Sequence, residues 1–292
     1  MLKNKKGFAV VELLVILIVI AVVAGVGFYV FKKGKKDTTN SSATTTSQQK
    51  SSGTVSWQRS ENGWTVSGTP PACSSPLTVN IPTDISKVTG ILYPGQYRGG
   101  NYKPHGGFRF GDNLNDTIDV KLPSASRLYK GSRYIEQGET QYMLVFIDPC
   151  GIMYKYDHLY TLAPTFQKVV EENFPAAQEN NSQTTDITKD LEYKAGETIA
   201  TSIGFKKTGN TTFDFGVYDL RSKNEISKNS AWAALHADDN EYAPYAVCWL
   251  DLLGKDSAKV KSLPAVDGKS AAISDYCKTS DGNTLTNTVG NP

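Results

Sequence analysis

An uncharged apolar run near the N-terminus is the strongest constraint on this chain. Residues 13–31 are 19 consecutive residues without a charged side chain, long enough for a helix to cross the roughly 30 Å hydrocarbon core of a bilayer. Lysines flank the run on both sides, so the charges alone do not assign its orientation. We therefore expect residues 1–36 to be a membrane anchor, which makes the membrane a partner of the protein.

The charge is unevenly distributed along the chain. Residues 1–36 carry a net charge of +6, so the remainder carries −4 although the whole chain is at +2. A negative ectodomain has no basic groove for a phosphate backbone. This distribution excludes a nucleic-acid partner.

A polar segment and four cysteines follow the anchor. Residues 37–56 are rich in Ser, Thr, Asn and Gln, a composition typical of a disordered linker. The cysteines are Cys73, Cys150, Cys248 and Cys277. An even number in an exported domain indicates two disulfides, and four unrelated buried thiols are the alternative. We pair Cys248 with Cys277, which are nearest in sequence, and Cys73 with Cys150. The protein is then a single-pass cell-membrane protein with its C-terminal domain outside the cytoplasm.

The start of the anchor contains an acidic residue, Glu12, and a carboxylate in such a segment usually has a function. The run KKGFAVVE at residues 5–12 resembles a type IV prepilin signal. The resemblance implies cleavage after Gly7, with Phe8 as the methylated N-terminus. An uncleaved signal anchor is one alternative. A pilin-like structural subunit is another, which the linker disfavours because a pilin helix continues into its globular head.

From Trp57 onward, short runs separated by turn signals predict a mainly β domain at residues 57–225. A Cys-containing C-terminal extension follows at residues 226–292. The predicted strands are 117–120, 141–147, 152–156, 198–203 and 212–218. One helix is predicted at 165–174 and an exposed polar loop at 178–190.

Three segments hold the residues best suited to chemistry: KPHGGFRF at 103–110, YDHL at 156–159 and TGNTTFDFGV at 208–217. Their order and spacing resemble the H-x-x-x-D, Y-x-H-L and H-x-H motifs of the lysostaphin-type zinc peptidases, which cut peptidoglycan. LPSA at 122–125 and YKAGETIA at 193–200 resemble connecting segments of that family. The resemblance implies an antiparallel β-sheet domain with the duplicated hybrid motif fold.

The zinc site that this resemblance implies is degenerate. His105 stands at the first ligand position and His158 at the catalytic, non-ligand histidine. Arg109 replaces the Asp ligand, while Thr212 and Asp214 replace the two histidines of H-x-H. Catalytic zinc takes three protein ligands and an open position, and arginine has no acceptor with which to ligate.

The same positions suggest a charge pair in place of the metal. Arg109 and Asp214 would both point into the vacated pocket, where a guanidinium and a carboxylate form bidentate hydrogen bonds. Thr212, Asp157 and Tyr156 would line that pocket. We expect a catalytically inactive domain without a cofactor that binds peptidoglycan or another envelope component, or acts as a scaffold.

The alternative is an active zinc hydrolase in which His105, Asp214 and a further ligand hold the metal. Zinc content separates the two hypotheses. His236, Asp238 and Asp239 also resemble a metal cluster, but we interpret this segment as a solvated loop.

Overall fold

A computed structural model describes residues 55–112, 118–266 and 273–277. All of them belong to one compact unit, residues 51–292. None of the helices within these described ranges has the length and apolar character needed to cross a bilayer.

The predicted anchor and its prepilin-like signal, with Gly7, Phe8 and Glu12, lie outside the described residues, as does most of the predicted linker.

The described domain is mainly antiparallel β-structure. Its strands are β1 Ser56–Ser60, β2 Gly63–Ser67, β3 Val88–Leu92, β4 Gln96–Arg98, β5 Asn101–Lys103, β6 Gly106–Phe110, β7 Val120–Lys121, β8 Ser126–Glu136, β9 Glu139–Ile147, β10 Ile152–Leu162, β11 Thr185–Asp186, β12 Glu192–Tyr193, β13 Thr198–Ile203 and β14 Thr212–Asp219.

A 10-stranded sheet organises the domain. Its main path runs β11-β8-β9-β10-β14-β6-β3, while β12 pairs with β8, β13 with β10, and β7 with β13. Two separate hairpins, β1-β2 and β4-β5, complete the strands. The order places β10, β14 and β6 side by side, although β14 follows β10 by about fifty residues of chain.

Helices are short and lie at the periphery of the sheet. The longest is α1, Pro164–Asn173, which begins with proline at its first position and buries Phe166 and Val170. The others are α2, Ser230–Leu235, and α3, Ser257–Lys261. Six 3-10 turns lie among the described residues: Ile85–Lys87, Ile226–Lys228, Ala237–Asp239, Ala243–Tyr245, Trp249–Asp251 and Gly254–Asp256.

Most of the predicted elements are confirmed. The strands predicted at 141–147, 152–156, 198–203 and 212–218 all form, and the helix lies one residue from its predicted position. The strand predicted at 117–120 is displaced to Val120–Lys121. The loop at 178–190 is largely exposed but includes the short strand β11.

Aromatic rings join the central strands to the C-terminal extension. The Phe108 ring centroid lies 5.4 Å from Phe213 and 4.8 Å from Trp249, and Phe215 lies 5.4 Å from Trp249. Burying each such ring stabilises the fold by about 1.5–3 kcal/mol. Residues 226–266 and 273–277 thus pack on the same core as the strands, with Leu250, Leu253 and Val260 also buried there.

Both disulfides have the predicted pairing. Cys73 bonds to Cys150, at the turn between β9 and β10, and Cys248 bonds to Cys277. The first bridge joins residues 77 apart in sequence and the second joins residues 29 apart. The first bridge ties the segment before β3 to the turn between β9 and β10, and the second cross-links two parts of the C-terminal extension.

Removing each bridge tests their contributions. In the chain-entropy account, a disulfide that closes a longer loop stabilises the folded state more. We expect Cys73→Ala/Cys150→Ala to lower the free energy of unfolding by about 1 kcal/mol more than the matched Cys248→Ala/Cys277→Ala variant, as measured by urea denaturation. An equal or reversed loss would contradict this account, and four free thiols in the wild type would contradict the bridges themselves.

Candidate functional site

The three motif segments meet on one face of the sheet. Asp157 of β10 lies opposite Asp214 of β14, which lies opposite Gly107 of β6. Phe213 and Phe215, on either side of Asp214, are buried in the aromatic core. Successive side chains of a strand point to opposite faces, so Asp214 points away from that core.

Gly107 lets the neighbouring strand approach closely at this point. A Cβ atom there would lie 2.7 Å from the Phe213 carbonyl oxygen and 3.2 Å from Asp214 Oδ1. The first distance is too short for a carbon atom, so a larger residue would displace β14. Gly107, two residues after His105, therefore serves the packing of the site.

His105 and Asp214 form the centre of the site. His105 Nε2 lies 2.9 Å from Asp214 Oδ2, and the two side chains are 6% and 13% exposed. The His105 backbone is held by Arg98 of β4, whose Nη2 donates to the His105 carbonyl oxygen at 3.0 Å. Arg98 is itself buried and also donates to the Tyr93 carbonyl oxygen. The sequence did not predict this arginine because Arg98 lies outside the three motif segments.

Burial and neighbouring charges determine the protonation of this pair. Burial lowers the pKa of the His105 imidazole to about 4, and nearby Lys155 adds to the effect, while Asp214 opposes it. Burial alone would raise the pKa of the Asp214 carboxyl, but His105, His158 and Arg98 outweigh it and hold that pKa well below its ordinary value. At neutral pH a neutral imidazole therefore donates its Nε2 proton to an ionised carboxylate.

The second nitrogen of His105 has no hydrogen-bond partner among the residues that the structure describes. His105 Nδ1 is buried and accepts no hydrogen bond within the described part of the chain. A neutral imidazole that donates from Nε2 has its lone pair on Nδ1, so the orphan atom is an acceptor.

His158 lies on the other side of the same carboxylate. Its Nε2 is 3.7 Å from Asp214 Oδ2, and its Nδ1 is 3.4 Å from the Tyr134 hydroxyl and 4.0 Å from Glu136 Oε2. The residue has φ of +57°, in the left-handed region, at a break in the register of β10. A non-glycine residue in this region is strained, and such strain is concentrated at functional sites.

Asp157 stabilises this bulge. Its Oδ1 accepts the His158 backbone N–H at 2.9 Å and the Tyr134 hydroxyl at 2.6 Å, and its Oδ2 lies 3.9 Å from Lys155 Nζ. The predicted pocket residue Asp157 is thus next to the site, but it acts by holding His158. Tyr134, on the strand β8 that sequence reasoning missed, completes the arrangement.

The two remaining predicted pocket residues, Tyr156 and Thr212, lie on opposite faces of the sheet. Tyr156 is fully buried in the core on the opposite face, where its hydroxyl donates to the Lys121 carbonyl oxygen at 3.0 Å. Strict alternation would place Tyr156 on the same face as His158, but the register break between Tyr156 and Leu159 puts these two side chains on opposite faces. Thr212 is buried and lies opposite Arg109 in the β14–β6 register.

The predicted Arg109–Asp214 charge pair is not formed in the structure. Arg109 is exposed, and the described residues include no acidic side chain within 4.0 Å of its guanidinium. The two residues share a face of adjacent strands, but the Asp214 carboxylate is occupied by His105. The buried arginine that influences Asp214 is Arg98.

The donor set does not fit the zinc site of the family that the motifs resemble. No group of three or more His, Cys, Asp or Glu arranged to hold a metal occurs in residues 55–112, 118–266 and 273–277. His105 and Asp214 offer two groups that could donate to a metal, but these groups are hydrogen-bonded to each other. The third ligand position of the motif is occupied by Arg109, an exposed cation.

His236, Asp238 and Asp239 form no metal-binding group among the described residues. The His236 ring lies 3.8 Å from the Tyr102 ring and is buried, while Asp238 is exposed on a 3-10 turn. His236 therefore packs as an aromatic residue, and the segment is largely exposed around it.

Substituting His105 tests its protonation. Its pKa is lower in the folded state than its ordinary value of 6.5, so the unfolded chain binds a proton that the folded chain does not as the pH falls from 6.5 to 4. We expect the wild type to lose up to about 3 kcal/mol of unfolding free energy over this range through His105. His105→Gln should abolish that part of the slope in urea denaturation, whereas Lys168→Gln on exposed α1 should not. An unchanged slope in His105→Gln would contradict this assignment.

The chain shows low similarity to known proteins. No family model matches the chain, and no curated protein matches it significantly. Among solved structures, Csd3 of Helicobacter pylori matches with a TM-score of 0.31 and 12% identity over 56% of this chain and 37% of that chain. Lysostaphin matches with a TM-score of 0.30 and 14% identity over 48% of this chain and 46% of that one. The matched parts span less than half the length of either protein.

Proposed function

We propose that this chain is a membrane-tethered, extracytoplasmic domain of lysostaphin type that binds a component of the cell envelope without zinc-dependent hydrolysis. The observation that carries the proposal is the 2.9 Å hydrogen bond between His105 and Asp214. These residues stand at two positions that hold zinc in the family whose motifs the sequence resembles.

The protonation of the pair opposes metal binding. A metal needs the lone pair of the ligating nitrogen, whereas His105 Nε2 carries the proton that Asp214 accepts. Zinc would have to displace this proton and separate the two atoms so that each lies about 2.0–2.2 Å from the ion. The Arg109 guanidinium, on the same face as Asp214, adds a positive charge instead of a ligand.

The catalytic part of the motifs is also incomplete. His158 is the more accessible histidine at 22% exposure, but the partner histidine is replaced by Thr212. A threonine hydroxyl does not transfer protons as a general base near neutral pH. Binding without hydrolysis is the function that these substitutions leave, with peptidoglycan as the candidate ligand.

The location outside the cytoplasm rests on two features. Two disulfides in one domain fit an oxidising compartment, and the apolar run at 13–31 provides a membrane anchor. Processing at Gly7, as in prepilins, is part of this proposal.

An active zinc hydrolase is the second candidate, and one distance favours it. His158 Nε2 lies 3.7 Å from the same Asp214 oxygen that His105 contacts at 2.9 Å. Both histidines therefore lie next to one carboxylate oxygen, and a movement of His158 would supply the third ligand that the described arrangement lacks.

Zinc content distinguishes the two candidates. We expect the full chain, purified in detergent and dialysed, to contain far less than one zinc per molecule and to leave isolated sacculi undigested. The double variant Arg109→Asp/Asp214→His restores the ligand types of the motif on one face of two adjacent strands, so it should bind about one zinc per chain. Asp214→His alone is the matched control and should bind far less. Stoichiometric zinc in the wild type with digestion of sacculi would replace the proposal by the second candidate.

Protease treatment of intact cells tests the topology. If residues 37–292 are outside the cytoplasm, added protease should remove the domain or release it by cutting in residues 37–54, where the polar composition predicts an accessible linker. Full protection in intact cells, together with digestion after lysis, would contradict the proposed location.

A further inference from the structure

A cleft of about 510 Å³ lies on the domain away from His105 and Asp214. One wall is strand β1, from Trp57 to Arg59, and the other includes Asp186 and Glu192 of β11 and β12. The volume is in the range of ligand-binding sites in proteins. The proposed envelope-binding function does not involve this cleft.

The edge of β1 that borders the cleft has backbone groups without a hydrogen-bond partner in the described part of the chain. The β1-β2 hairpin closes with Ser60 opposite Gly63, so Ser60, Gln58 and Ser56 form the hydrogen-bonded pairs with β2. The N–H and C=O groups of Trp57 and Arg59 alternate with these and face outward. Across the described residues, no backbone hydrogen bond satisfies them.

The side chains of β1 are fixed, which keeps this edge in place. Trp57 Nε1 donates to the Pro149 carbonyl oxygen at 3.0 Å, and Arg59 Nη2 donates to Asn240 Oδ1 at 2.8 Å. Trp64 of β2 packs edge-on against Tyr129, with ring centroids 5.4 Å apart. An open and preformed strand edge is a template for a further strand.

The cleft has walls on both sides, and this limits what can pair with β1. A partner strand paired with Trp57 and Arg59 would lie between β1 and the residues of β8, β11 and β12 that line the cleft. The fitting partner is therefore a peptide strand.

The charges of the cleft indicate the composition of that peptide. Its arginines are engaged: Arg59 with Asn240, and Arg127 with Asp190 at 3.4 Å. Asp186 and Glu192 on the opposite wall are exposed and form no ion pair within the described part of the chain. Tyr193 and Ile147 provide buried apolar surface between the walls. Basic side chains at the rim and apolar side chains on the floor complement this arrangement.

We propose that this cleft binds an extended peptide of alternating apolar and basic residues as an added strand on the free edge of β1. Main-chain hydrogen bonds to Trp57 and Arg59 would supply affinity, and the acidic wall would supply selectivity. The site is independent of the His105–Asp214 pair, so Asp214→Asn should leave peptide binding unchanged.

Peptide binding to the full chain in detergent tests the proposal. The probe is a fluorescein-labelled heptapeptide of alternating Lys and Val, and the control replaces each Lys by Glu. Fluorescence anisotropy should show at least about tenfold tighter binding of the Lys peptide. Two further peptides carry N-methyl groups, one on all Val residues and the other on all Lys residues. Because alternate N–H groups of a strand face its neighbour, one of these two peptides should bind more than about tenfold more weakly than the unmethylated Lys peptide.

Matched variants separate the backbone from the side chains. Arg59→Pro removes the outward N–H, so it should bind the Lys peptide about fivefold to tenfold more weakly than Arg59→Ala, which retains that group. Asp186→Asn/Glu192→Gln should weaken binding several-fold, while Glu171→Gln/Glu172→Gln on α1 makes the same charge change and should not. Circular dichroism checks that each variant is folded. Equal binding of both N-methylated peptides and the parent, or equal binding of the Lys and Glu peptides, would overturn the proposal.

Discussion

Packing of four aromatic rings is the interaction on which the rest of the domain depends. Phe108, Phe213, Phe215 and Trp249 join β6, β14 and the C-terminal extension on one face of the sheet. Because strand side chains alternate between faces, this packing directs Asp214 to the opposite face. The position of the candidate site is therefore a consequence of the core.

An ionised carboxylate in that position needs a partner. Burial of an unpaired charge costs several kcal/mol, and His105 Nε2 provides the hydrogen bond, with His158 and Arg98 adding favourable charge or dipole. The strained backbone at His158 is stabilised in a similar way. The His158 N–H and the Tyr134 hydroxyl both donate hydrogen bonds to Asp157. The result is a polar site in which Asp214 and His105 Nε2 already use, in bonding to each other, the atoms that a metal would need.

The sequence predicted much of this fold but only part of the site. Short runs between turn signals were readable for β9, β10, β13 and β14, and the proximity of Cys248 and Cys277 led to the correct pairing. The long strand β8 was missed because its polar residues and central Gly131 obscure the alternation. Charge complementarity suggested a partnership of Arg109 with Asp214, whereas His105 approaches from the segment just before β6, a tertiary contact that spacing does not encode. Tyr156 was placed on the wrong face because the bulge at His158 interrupts the period.

The most direct test of the central claim is the state of the His105 side chain in the presence of zinc. The chain has three histidines, so nitrogen-15 labelling of histidine gives a simple spectrum that variants can assign. The account predicts a neutral ring protonated at Nε2 at pH 7, with shifts that equimolar zinc leaves unchanged. Loss of the Nε2 proton and a metal-bound nitrogen shift on adding zinc would contradict it.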